Sequence, residues 1–229
     1  MVDPIRNPFG KASGQLSLAV HQVQKDAAAG LGFVVLKTVI AEDAAGGRSM
    51  SEWAIPETRM KVERIRGQGG EEGWTVTWIG RGWPGTLQQY LDFYAAAVAA
   101  ARPSGLLVVP SCKYHLPGPG ETAWRVEEYE HTTARLLETA KAAGAAFPVP
   151  LEKDFSPTLA GSDRAADRAR ILDWLERVPQ LVRAAAGGRV SLGIKAFNAL
   201  MEDEFQLEML AALESARQPA DFLVYANRL

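Results

Sequence analysis

Cysteine is nearly absent: Cys112 stands alone, so no disulfide can form within the chain and a cysteine zinc cluster is excluded. The three histidines, His21, His115 and His131, are scattered, two of them on helical segments and only His115 behind a strand. No convergent metal ligands emerge from them, and no metal is expected. No apolar run approaches the roughly 20 residues of a membrane span, and the opening Met-Val-Asp-Pro-Ile-Arg-Asn-Pro lacks a signal-peptide core. The spacing Gly-x-Gly-x-x-Gly occurs once, in Gly80-Arg-Gly82-Trp-Pro-Gly85, where the glycines and Pro84 read as the stop of a short strand, and a separate nicotinamide domain is not expected. The 25 basic and 27 acidic side chains are mixed along the chain, with a formal net charge of -2, so no nucleic-acid surface is expected. These absences leave a cytoplasmic, reducing setting and a small-molecule partner as the expectation.

What is present is ordinary globular material. With 229 residues, 47% hydrophobic and 23% charged, the chain can build one sizeable core, and a single domain over 1–229 is the default. Helical and strand patterns alternate along it. Helices are expected at 15–29, with Ser13 as a cap, and at 86–101, 122–143, 164–186 and 202–216; strands are expected at 31–40, 74–79, 105–111, 145–151, 190–197 and 221–227. Pro148 and Pro150 remove two amide donors from one strand. The stretch 41–85 is charged and interrupted by Gly46, Gly47 and Pro56, and reads as an excursion. Tyr90, Leu91, Phe93 and Tyr94 read as helix packing. Repeated strand–helix alternation with apolar strands specifies an α/β fold with a parallel sheet.

Two strands close on lysine, Lys37 after Phe33-Val-Val-Leu and Lys195 after Val190-Ser-Leu-Gly-Ile. An unpaired buried ammonium is very costly, so each needs a partner or water. In a barrel of parallel strands the carboxyl-end mouth supplies such a place. Two cations aimed at one mouth suggest an anionic or electron-accepting ligand.

The order of elements and their end residues resembles the dihydroorotate dehydrogenase family of flavin-dependent (β/α)8 barrels. Asn7-Pro-Phe-Gly-Lys-Ala-Ser-Gly14 is similar to the family's first strand and its Ala-Ser-Gly turn, and Ala28-Ala-Gly-Leu-Gly-Phe-Val-Val-Leu-Lys-Thr38 to its second strand ending in Lys-Thr or Lys-Ser. Lys195 falls on the second flavin-contacting lysine, and Asn227 on the strand-end asparagine. The resemblance implies a TIM-barrel-like fold, FMN as cofactor, and oxidoreduction of a C–C bond beside a carbonyl in a small cyclic substrate, with a link to pyrimidine metabolism. It assigns Ala12, Ser13, Gly14, Lys37, Thr38 and Lys195 to the cofactor, and Lys37 and Asn227 to the substrate.

The sequence departs from that pattern where the family keeps its catalytic base. Leu151-Glu-Lys-Asp-Phe-Ser-Pro157 occupies the place of an Asn-x-Ser-Cys-Pro-Asn segment, so Asp154, Lys153 or Ser156 is left to serve as base. The plainer reading of 152–154 is a solvated loop. Cys112, in Pro110-Ser-Cys-Lys-Tyr-His115, takes the base role in an alternative register, and is otherwise a small, buried, inert strand-end residue. Strand ends near Ala12, Leu36, Val109, Val149, Ile194 and Tyr225 make about six of the eight that close a barrel. The expectation is an incomplete barrel: a fragment or truncated homologue first, otherwise one completed by another chain or a second copy, or a smaller sheet closed by the strand 74–79 and the chain start. A non-catalytic domain binding a small ligand or a partner protein is the alternative to the flavoenzyme.

Overall fold

The computed structural model describes residues 5–51, 54, 59–67, 69–79, 82–155, 164–196 and 202–224. Its strands are β1 (Gly10–Lys11), β2 (Phe33–Val35), β3 (Val39–Ile40), β4 (Arg59–Arg66), β5 (Glu72–Ile79), β6 (Leu107–Val109), β7 (Ser111–Lys113), β8 (Val149–Asp154), β9 (Val190–Lys195) and β10 (Phe222–Val224). Its helices are α1 (Val20–Ala28), α2 (Leu87–Ala101), α3 (Val126–Ala143), α4 (Arg164–Ala186) and α5 (Asp203–Ser215).

Every pairing outside the β4–β5 hairpin is parallel, and neighbours follow chain order. β1 pairs with β2 and β2 with β6; β3 pairs with β7, then β7 with β8, β8 with β9 and β9 with β10. Because β2 and β3 share one strand line, as do β6 and β7 across Pro110, six parallel strand positions result. The fold is α/β and TIM-barrel-like, an incomplete barrel in which, among the described residues, β1 and β10 each pair on one side only. Helices separate successive strand positions, and α1 packs on α2, α2 on α3, α3 on α4, and α4 on α5. No described helix is long and apolar enough to cross a membrane.

Local chemistry explains most element ends. Thr86 caps α2: its hydroxyl accepts from the Gln89 amide while the Gln89 side chain accepts from the Thr86 amide, closing a capping box. Gly144, at φ 69°, ends α3 in the left-handed conformation that glycine adopts without strain. Pro150 sits inside β8 and lacks a donor, and paired register between β7 and β8 begins only at Glu152.

Several sequence expectations change. Ser13 does not cap the first helix, which starts at Val20 behind Ala19; the Gln22 side chain accepts from the Leu18 and Ala19 amides instead. The excursion holds an antiparallel hairpin whose first strand, β4, carries charge on both faces and so hides its period. Tyr90, Leu91, Phe93 and Tyr94 are buried helix-packing residues, with Trp83 stacked on Phe93 at 5.3 Å. The greatest change concerns 152–154: these residues are the buried end of a central strand rather than a solvated loop.

Candidate functional site

Parallel register decides which side chains share a face, since paired residues point the same way and successive ones alternate. Ser111, Glu152 and Gly193 stand side by side across β7, β8 and β9. One step of the pleat further, Asp154 pairs with Lys195. Cys112, Lys153 and Ile194 form the alternate row, whose Cys112 and Ile194 belong to the core beneath the helices. The first face therefore gathers polar groups at the carboxyl ends of the strands, where barrel sites are built.

Hydroxyls link the two carboxylates on that face. Ser111 Oγ donates to Glu152 Oε1 at 2.7 Å. It lies 2.9 Å from Thr38 Oγ1, which donates to Asp154 Oδ2 at 3.2 Å. Ser13 Oγ adds to the line at 3.0 Å from Thr38 Oγ1. Lys195 Nζ stands 3.8 Å from Asp154 Oδ2. The Tyr90 hydroxyl accepts the Ser111 amide at 3.3 Å, so α2 helps fix the serine.

Burial sets the charge states. Glu152 is fully buried, and among the described residues its Oε2 has no hydrogen-bond partner. Removal from water pushes its carboxyl up to about 7; Asp154 adds to the rise, while Lys195 and the Ser111 hydrogen bond oppose it. The Phe222 ring occupies the space a Gly193 side chain would need, in the same row as Glu152. On the alternate row, burial pushes the Cys112 thiol up to about 12 despite Lys153 and Lys113, so it is a neutral thiol at ordinary pH.

The residues singled out in the sequence are placed as follows. Lys37 is buried between β2 and β3 rather than at the end of their shared line, its amide donating to the Ser17 carbonyl. Thr38 and Ser13 join the hydroxyl line, Gly14 donates its amide to Ser17 Oγ, and Ala12 is exposed. Lys153, Asp154 and Lys195 are at the ends of β8 and β9. Ser156 and Asn227 lie outside the described residues. Sequence reasoning missed Glu152 and Ser111 as site groups. The signal was the apolar run before Glu152, which continues a buried strand through the charges.

No protein-family model matches the chain, and no curated protein matches it. Solved structures with a similar course include an AP endonuclease, family 2, from Brucella melitensis, at 16% identity and a TM-score of 0.43, covering 96% of this chain and 67% of that one. A glucosidase from Croceicoccus marinus matches at 13% identity and a TM-score of 0.46, covering 98% of this chain and 45% of that one. Scores this low carry no argument about activity.

The dihydroorotate dehydrogenase-like assignment is corrected here. Neither structure is described as a flavoprotein, and no family or curated match supports FMN, C–C oxidoreduction or a pyrimidine role. The electrostatics point the same way: Lys195, expected to face the negative edge of a reduced flavin, faces Asp154 and Glu152. Among the described residues no cluster of three or more His, Cys, Asp or Glu could hold a metal.

Proposed function

We propose that the carboxyl-end face is an acid–base site that moves a proton on a small carbonyl-bearing molecule. The reading rests on the hydrogen-bonded line Glu152–Ser111–Thr38–Asp154. A hydroxyl both donates and accepts, so turning either one toward the other aligns the line, and a concerted shift of its hydrogens then carries a proton from one carboxyl to the other while neither carboxyl moves. Glu152, held near neutrality, takes and returns the proton with little cost in either direction. Lys195 is the fixed cation that stabilises negative charge developing on a substrate oxygen, and Lys37, next to Thr38 in the chain, adds a second cation. A small-molecule substrate and a single domain over 1–229 belong to the same proposal, as does Asp154 among its working groups; Lys153, on the alternate row, stands outside it.

Full burial of Glu152 and Lys153, with Lys195 at 4% exposure, supports a second reading: a non-catalytic domain whose polar cluster fastens the strand ends together. Proton exchange separates the two. The chain is incubated in deuterium oxide with small 2-oxo acids and cyclic ketones, and loss of the proton beside the carbonyl is followed by NMR. Wild type is expected to exchange at least one of them, with Glu152→Gln slower by on the order of 10²-fold. Background exchange with every compound would leave the non-catalytic reading.

A further inference from the structure

The alternate row carries chemistry that the acid–base proposal does not use. Lys153 is fully buried, yet among the described residues its ammonium has one oxygen acceptor, the Asp154 carbonyl at 3.0 Å, and otherwise rests over the Phe155 ring at 4.4 Å. An ammonium carries three donors, and water would satisfy them all. Lys113 Nζ, also fully buried, reaches the same carbonyl oxygen at 3.4 Å. Two amines are thus brought to one acceptor in a site that excludes solvent, where like charges repel strongly.

We propose that Lys153 is a neutral amine that condenses with a small aldehyde or ketone to form an imine, with Lys113 as the positioning residue that keeps it uncharged. Burial, and then Lys113, lower its pKa well below the ordinary lysine value, against the opposing pull of Asp154 and Cys112. A desolvated lysine beside a second cation is an activated nucleophile at neutral pH. The amine nitrogen adds to the carbonyl carbon, the carbonyl oxygen leaves as water, and a carbon–nitrogen double bond remains. No oxidant or reductant takes part. Cys112 stays out of the reaction, because burial pushes its thiol up to about 12 and keeps it protonated at pH 7.

Reductive trapping tests this in the full chain. Glyoxylate or glycolaldehyde is added with sodium cyanoborohydride at pH 7, and modified lysines are mapped by peptide mass spectrometry. Cyanoborohydride supplies the hydride that fixes the imine as a secondary amine. Lys153 is expected to label about ten-fold or more faster than the exposed Lys25 and Lys141. Lys153→Arg should lose that adduct. Removing the neighbouring cation in Lys113→Met or Lys113→Gln should return Lys153 toward an ordinary lysine, lowering its labelling at pH 7 and shifting its pH profile upward. Labelling confined to exposed lysines in wild type overturns the proposal without recourse to any variant. So does an unchanged pH profile in a folded Lys113 variant. Trapping reads the amine and deuterium exchange reads the carboxylates, so either proposal can fail while the other stands.

Discussion

Along β8, Val149 and Leu151 are as buried as Glu152, Lys153 and Asp154, but the two halves of the strand are stabilised differently. The first half packs into the core under the helices, where burial of apolar surface is favourable by itself. The second half places three ionisable side chains where water cannot reach, at a cost that only paired charges and hydrogen bonds offset. Equal burial therefore has opposite energetic meaning within one strand. The amino half is stability without evident chemistry, and the carboxyl half is chemistry that the fold must stabilise from elsewhere.

Four measurements would break or sharpen that contrast. Lys195→Met removes the cation facing Asp154 and Glu152 and is expected to cost about 3–5 kcal/mol, because breaking a buried pair leaves the charge behind. Denaturant midpoints at pH 7 check it, and a loss below 1 kcal/mol would mean that the carboxylates are satisfied without Lys195. Leu151→Ala, one residue from the charges, should lose about 2–5 kcal/mol at every pH through lost transfer energy and the cavity left behind.

Glu152 gives the contrast a pH dependence. Its folded-state pKa of about 7 lies above the ordinary value of 4.5, so the folded chain binds the proton more tightly than the unfolded one. The resulting stability is complete below the ordinary value and declines as pH rises through about 7, by on the order of 3 kcal/mol. Glu152→Gln, uncharged throughout, should flatten that decline, while Leu151→Ala should leave it in place. An equally steep decline in the glutamine variant would assign it to another group. The smallest effect is expected far from β8: Thr86→Ala removes the α2 cap and should cost about 1 kcal/mol, with little change in the slope against pH.

Much of the scaffold was legible in local pattern. Helix 164–186 coincides with its apolar and charged spacing, and the strand positions follow the apolar runs closed by lysine or proline. Lys195 at a strand end beside carboxylates also follows from the cost of hiding an unpaired ammonium. The hairpin strand β4 did not announce itself, since Arg59, Lys61, Glu63, Arg64 and Arg66 mask the alternation around Met60 and Val62. Three charges in a row at 152–154 resemble a solvated loop, and only the neighbours of Glu152 reveal that water is excluded.

The sequence by itself determined the alternation of helices and parallel strands, the absence of a disulfide, and which residue types end the strands. These are local matters of period, propensity and the cost of stranding a charge. Tertiary structure alone decided which of those residues meet. Thr38 and Asp154 are 116 positions apart and bond only because β3, β7 and β8 lie side by side in one register. A slip of one residue would turn Glu152 toward the helices and Lys153 toward the strand-end face, leaving the same sequence with a different site. That register is held by the long-range packing of apolar strands under helices, and no short stretch of the chain encodes it.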